Sequence, residues 1–385
     1  MVGLKMSKNT EQNFNSHFIF ILASRFPTEK AYGVTTEYSA KAVVNQGYRS
    51  TIVTPFFDPH LPTANKVDTI GQNIAKLFLN KKYFKFIFLR FNIFLIFYAI
   101  LIRFRYKSKE YVFWTRDIYL SLILAIFSNK IVICEVHRTP AGIQFILLKL
   151  LSIKKNVLIA PISNFLEDRI LLNKERMIIA PMAVNLSEIK FFNTRPIKRR
   201  KNIVYVGNIE SGNIRLDLKN LISVTRLMLK TNPEWTFEII GISINQVEQS
   251  GHFVNSPNLK FLGQLPRDQV MKKLKTSTIG IVLYPDLPWF HDSFPIKIVE
   301  YSAAGLAIVA TNTISHRRIL SAKRCLYFEP NSSGSLYNAI IKLIENKPIQ
   351  IELSSNSKNW SKKLTYENRV SAVITTAMSL KSKRS

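Results

Sequence analysis

Residues His291–Asn312 read HDSFPIKIVEYSAAGLAIVATN, and the order of residue types in this stretch decides the fold. Asp292, Lys297 and Glu300 stand ahead of a small-residue, apolar segment that ends at Gly305 and leads into a β-branched run. Polar groups are costly to bury unless something partners them, so these three either face solvent or point at a ligand. The stretch lies between IGIVLYP and LAIVATN, two short apolar runs of the kind that form buried strands. The sequence therefore places Asp292 in the loop at a strand's carboxyl end, with Lys297 and Glu300 at the start of a helix. A helix N-terminus carries free N–H groups and about half a positive charge, which suits a phosphate or hydroxyl-rich ligand. Gly305 stops the helix.

The same alternation runs outward in both directions. FIFILAS (Phe18–Ser24) predicts a strand, RFPTEKAYG a polar loop ending at Gly33, VTTEYSAKAVVNQ a helix stopped by Gly47, and STIVTP a second strand. Together they form a βαβ unit, whose strands must be parallel. EYVFWTR, KIVICEVH and NVLIAPIS follow as strands. After a basic bridge, TRPIKRRKN (Thr194–Asn202), the pattern restarts with IVYVGN, the helical LDLKNLISVTRLMLKTNP, and the strands WTFEIIG and LKFLGQ. Two doubly wound α/β domains facing a central cleft are expected, with ligands beyond the carboxyl ends of the strands.

Composition agrees with two cores. The chain has 385 residues, 47% of them hydrophobic, which is too long for one ordinary core and too apolar for extended disorder. Cys134 and Cys325 are the two cysteines; they form no metal-ligand pattern and read as core thiols of a reduced compartment. The net charge of +29 asks whether the partner is nucleic acid, anionic lipid or a phosphorylated substrate. A nucleic-acid platform would interleave aromatic and basic residues on one surface. Here the charges are scattered over both halves, so no nucleic-acid partner is expected. The N-terminal MVGLKMSKNTEQNFNSHF lacks the pattern of a signal peptide. Tyr83–Lys107 is the most membrane-like segment, but Lys85, Arg90 and Asn92 interrupt it. It falls short of the about 20 apolar residues a span needs, yet suits a helix lying on an anionic surface.

At Asp292–Asn312 the chain resembles the family 4 glycosyltransferases, which have the two-domain GT-B fold. Asp292 and Glu300 match that family's two acidic residues eight positions apart, FPIKIVE its Pro–aliphatic–Lys variant, and EYSAAGLAIVA its helix, glycine and strand. AYGVTTEYSAKAVVNQGYRSTIVTP is similar to the family's first loop and helix, where Gly33 approaches the donor. CEVHRTP resembles the strand whose His, here His137, reaches toward the donor sugar. LTYENRVSAVI resembles the C-terminal helix that returns to the first domain. The resemblance implies an acceptor-side domain over residues 1–190, a nucleotide-sugar domain over 191–360, and the returning helix in 361–385.

It also implies roles. Lys297 would stabilise the departing diphosphate, Glu300 would accept hydrogen bonds from ribose hydroxyls, and Asp292 would contact the transferred sugar; the usual Glu there is one methylene longer. Asp292 also suits a plain helix cap. Gly207 of VGN opens the donor loop. The family places a basic residue directly after it, where this chain has Asn208; Arg215 and Lys219 compete for the later clamp position. Glu135, Arg116 and Asp117 fit either ion pairing or the ligand site. No metal is expected, since cations and N–H groups do the work, and the anomeric configuration should be retained. The expected activity is transfer of a sugar from a nucleotide diphosphate to a glycan or lipid-linked acceptor, on the cytoplasmic side and, if Tyr83–Lys107 lies on an anionic surface, at the membrane face. The rival readings are a sugar-nucleotide epimerase of the same fold and a non-catalytic basic protein that binds nucleic acid or anionic lipid.

Overall fold

The computed structural model describes residues 16–28, 31–60, 63–73, 75, 87–170, 174–193, 199–207, 210, 211, 214, 215, 218–249 and 256–384. The chain divides into two units, Met1–Pro181 with Tyr366–Ser385, and Met182–Thr365.

The first unit is built on a six-stranded sheet. Its order is Val67–Thr69, Arg49–Thr54, His17–Ile21, Tyr111–Thr115, Val132–Val136 and Val157–Pro161. All neighbours pair in parallel. In chain order this is 3-2-1-4-5-6, the doubly wound arrangement. Three of these strands, His17–Ile21, Val132–Val136 and Val157–Pro161, are buried along their whole length, as both-face coverage by helices requires. The helices Ile87–Arg105, Ile118–Phe127 and Ile143–Ile153 pack side by side in that order. Ala31–Asn45 packs instead against the C-terminal helix Tyr366–Ser382.

The second unit repeats the plan. Leu259–Phe261, Thr236–Ile240, Asn202–Val206, Ile279–Val282, Ala307–Thr311 and Cys325–Phe328 form a parallel sheet, again in the order 3-2-1-4-5-6. Ile203, Phe237, Ile281 and Val309 from its strands meet Leu336 and Ile340 of the helix Ser333–Glu345 in one core. The helix Ile296–Ala304 ends at Gly305, whose left-handed φ of 69° lets its N–H turn back to Ser302 and Tyr301.

The structure departs from the sequence reading in three places. The first helix begins at Ala31, so Gly33 lies in its opening turn and not at the end of a loop. The edge strands Val67–Thr69 and Cys325–Phe328 were not read, because three or four residues carry no periodicity. The units part after Pro181 and after Thr365, not after residues 190 and 360. The physical reason is that Val184 bridges to Thr365, and Glu188 of the helix Leu186–Asn193 takes a two-pronged bond from Arg267.

Candidate functional site

In the second unit the central strands end at Val206, Val282 and Thr311. Parallel pairing puts these ends together, and the loops after them carry Gly207, Tyr284 and the His291–Phe294 segment. Lys297 sits in the first turn of the next helix and turns its ammonium back over two aromatic rings, 4.5 Å from the Tyr205 centroid and 5.2 Å from that of Tyr284. Among the described residues it has no hydrogen-bond or ion-pair partner. Burial lowers its pKa to about 8, with Glu300 pulling the other way. Gly207 makes the room: a Cβ there would stand 2.8 Å from the ammonium and 2.6 Å from the Tyr205 hydroxyl. A side chain at Gly207 would therefore have to displace the tips of Tyr205 and Lys297.

Glu300 is 2% exposed. Arg267 brings Nη1 to 2.6 Å from its Oε1, out of line for a hydrogen bond, so that oxygen is buried without one. The same guanidinium donates from Nε and Nη2 to Glu188 at 3.0 and 3.1 Å. One cation thus serves two buried carboxylates, and a carboxylate with unused acceptor capacity can still take a hydroxyl. Tyr301 locks the helix to the sheet: its hydroxyl accepts from the Val206 N–H at 2.8 Å, and its ring lies flush on Gly280. His316 packs edge-on against Tyr284 at 5.6 Å and donates from Nδ1 to the Thr311 carbonyl at 2.8 Å. Burial, reinforced by Lys297, lowers its pKa to about 4 against the pull of that bond, so it is neutral.

Asp292 is buried in the loop before the helix. The N-cap position of that helix is held by Pro295, which makes no side-chain bond, and not by Asp292. Lys219 lies in the helix Leu218–Thr231 with its side chain exposed. Arg215 pairs with Glu210 in a two-stranded hairpin before that helix; Asn208 and the side chain of Arg215 lie outside the described residues.

The remaining candidates belong to the first unit. His137 follows the strand Val132–Val136 and donates from Nε2 to Glu135 at 2.8 Å. Burial and the Arg116 charge lower its pKa to about 4, despite the Glu135 bond. Glu135 also accepts from the Trp114 indole at 2.8 Å and from Arg369 at 2.5 Å. Its burial favours the neutral acid, but Arg369, His137 and Arg116 outweigh that and hold the carboxyl well below the usual range. Arg369, fully buried, also reaches Ser39 and the Ala180 carbonyl. Asp117 caps the helix Ile118–Phe127 through the Leu120 N–H. The space that Gly33 leaves open is occupied by Thr28, with the Thr28 carbonyl 2.6 Å from where a Cβ would stand. Gly33 therefore serves a close backbone approach within the unit.

Sequence reasoning missed Arg267, His316 and Arg369. Arg267 in LPRDQV looks like any base of a strongly basic chain. Arg369 left one signal: it falls on the buried stripe of Tyr366, Val370, Val373 and Ala377, where a cation needs an acid.

The family described as glycosyl transferases group 1 matches residues 187–360, just under half of the chain. A protein of Bacillus subtilis (strain 168) named as a teichuronic acid biosynthesis glycosyltransferase, TuaH, is 29% identical over 119 residues. That match spans 30% of this chain and 28% of the relative's length. A glycosyltransferase from Rickettsia africae ESF-5 superposes with a TM-score of 0.66 at 12% identity, covering 95% of this chain and 98% of the other. The Anabaena protein HepE, solved with UDP and glucose, gives a TM-score of 0.64 at 13% identity over 94% and 100% of the two chains. At these identities the likeness concerns the fold, which is that of the GT-B glycosyltransferases.

Proposed function

We propose that the protein transfers a sugar from a nucleotide-diphosphate donor to a glycan or lipid-linked glycan in surface polysaccharide or glycoconjugate synthesis, with retention of anomeric configuration. The observation that carries this reading is the Lys297 ammonium, half-buried over Tyr205 and Tyr284 at the carboxyl ends of a parallel sheet, with no hydrogen-bond or ion-pair partner among the described residues. The group 1 match over residues 187–360 supports it, as do the relative named for teichuronic acid biosynthesis and the neighbour holding UDP and glucose.

The chemistry follows from the residues. Breaking the glycosidic bond puts charge on the departing diphosphate, and a fixed cation there is worth about 3 kcal/mol of barrier. Lys297 supplies it, with the missing Cβ of Gly207 leaving room for the ammonium itself. Glu300 accepts ribose hydroxyls with its unused acceptor capacity, held in place by Arg267. Asp292 takes a hydroxyl of the transferred sugar, and Arg215 or Lys219 completes the diphosphate contact. His137 is neutral with its Nε2 hydrogen on Glu135, so its Nδ1 is an acceptor for a sugar hydroxyl. No step calls for a metal.

Labelled UDP-, GDP-, ADP- and CDP-sugars incubated with and without a lipid-linked glycan fraction test this reading. Label that moves to the acceptor only when both substrates are present, undiminished by a chelator, is the expected result. A donor that changes its own sugar stereochemistry with no acceptor would point to an epimerase, and no turnover with any donor would overturn the proposal.

A further inference from the structure

Each connecting helix of the first unit leaves the carboxyl end of one strand and returns to the amino end of the next. The C-termini of Ile87–Arg105, Ile118–Phe127 and Ile143–Ile153 therefore gather at the amino edge of the sheet, opposite the end where His137 lies. A groove of about 290 Å³ opens there, between the ends of the first two of these helices and the turns that follow them. Arg103, Lys107 and Lys130 line it beside Phe104, Ile126 and Phe127. The three aromatic and aliphatic side chains are more than half exposed, at 56%, 53% and 55%. Arg103 donates to the Phe127 carbonyl, which fixes its guanidinium at the rim. Arg384 reaches the same turn through the Asn129 carbonyl at 3.0 Å.

Two features make this more than a basic surface. Among the described residues neither Arg103, Lys107 nor Lys130 has an ion-pair partner, and none of the three helices contains an acidic residue. The Lys130 pKa is lowered by burial and by Arg103, as expected of cations crowded without an anion. The third helix, Ile143–Ile153, has its own exposed apolar stripe: Ile143, Ile146, Leu150 and Ile153, at helical spacing and 45–68% exposed. Soluble proteins rarely leave so much contiguous aliphatic surface open unless something covers it.

We propose that this helical layer is a docking surface for an anionic phospholipid membrane. The groove receives lipid phosphates on Arg103, Lys107 and Lys130, while Phe104, Phe127 and the Ile143–Ile153 stripe sit at the acyl boundary. Charge selects this occupant. A second copy would set cation against cation, and a nucleic acid would have no use for an aliphatic stripe. Among the described residues no helix is long and apolar enough to cross a membrane, so the layer would lie on the surface as an interfacial element. The proposal does not depend on the donor site, which belongs to the other unit.

Flotation of the full chain with vesicles of phosphatidylcholine alone, or of phosphatidylcholine with phosphatidylglycerol, tests it. Wild type should float with the anionic vesicles only. Lys107→Glu with Lys130→Glu, and separately Ile146→Asp with Ile153→Asp, should each lower the partition coefficient roughly tenfold or more. Lys260→Glu with Lys323→Glu, the same charge change on exposed residues of the other unit, should float like wild type. Unchanged melting temperatures confirm that the variants fold. Equal flotation on both vesicle types, or an equal loss in the control pair, would overturn the proposal. So would release by inorganic phosphate at the vesicles' own phosphate concentration, which would make the groove a free-anion site. A change of oligomeric state in the Ile146→Asp, Ile153→Asp protein without vesicles would assign the face to a second copy instead.

Discussion

The two sheets share one strand order, yet the buried acid at the carboxyl end of each is partnered differently, although in the first unit too one buried atom, Arg116 Nη1, lacks a hydrogen bond. In the first unit Glu135 is saturated by Trp114, His137 and Arg369. In the second, Lys297 has only the Tyr205 and Tyr284 rings and no hydrogen-bond or ion-pair partner among the described residues, and Glu300 Oε1 lacks a hydrogen bond although Arg267 is beside it. A satisfied network rigidifies a core, whereas an unsatisfied one costs stability and persists where a ligand completes it. The contrast separates charges that hold the fold from charges that wait for a substrate.

Arg369 and Lys297 should therefore respond unequally to loss of charge. Arg369→Met leaves Glu135 buried without its main cation and should cost about 3–5 kcal/mol in denaturant unfolding. Lys297→Met removes a half-buried cation that has no hydrogen-bond or ion-pair partner among the described residues, and should cost at most about 1–2 kcal/mol, the worth of its contacts with the Tyr205 and Tyr284 rings. If both variants lose stability alike, the contrast is broken. Activity should reverse the order: with the fold intact, Lys297→Met is expected to lower kcat by about 10²–10³ for the competent donor, the loss seen when one transition-state donor is removed.

Acid should weaken the protein in a defined window. His17, His137 and His316 all have pKa values lowered to about 4, chiefly by burial. The unfolded chain binds more protons at these sites between pH 4 and the ordinary value of 6.5, so stability rises with pH across that range and is lost as pH falls through it. His316 is 1% exposed, and His316→Gln should flatten the slope of unfolding free energy in that window by up to about 1 kcal/mol per pH unit. An unchanged slope would mean that His316 keeps its ordinary pKa. The smallest expected effect is at Gly207. A methyl in Gly207→Ala can be accommodated by moving the tips of Lys297 and Tyr205, so folding should survive while nucleotide affinity drops roughly tenfold, about 1.4 kcal/mol.

How much of this was legible in the sequence depends on the distance over which each feature is specified. Strands buried on both faces, such as Val132–Val136 and Ala307–Thr311, read as apolar runs because their whole length contacts core. The edge strand Val67–Thr69, half polar and three residues long, gave no such run. Lys297 and Glu300 stood out because a single helix turn positions both. Arg369 and Glu135 lie 234 residues apart, and their pairing exists only once the C-terminal helix has returned to the first unit. Arg267 likewise acquires meaning only when the helix Arg267–Thr276 sets it between Glu188 and Glu300. Asp292 looked like a cap from spacing alone, but Pro295 took that position.

Donor binding at this site requires that the Lys297 ammonium meet the donor's diphosphate. With a pKa of about 8 it is only half protonated at pH 8, and an anion beside it must raise that pKa. Calorimetric titration of UDP, GDP, ADP and CDP at pH 8, in buffers of different ionisation enthalpy, measures the proton uptake directly. The nucleotide that binds should take up a fraction of a proton, and Lys297→Met should abolish this uptake. Tight binding with no proton uptake, or the same uptake in Lys297→Met, would contradict it.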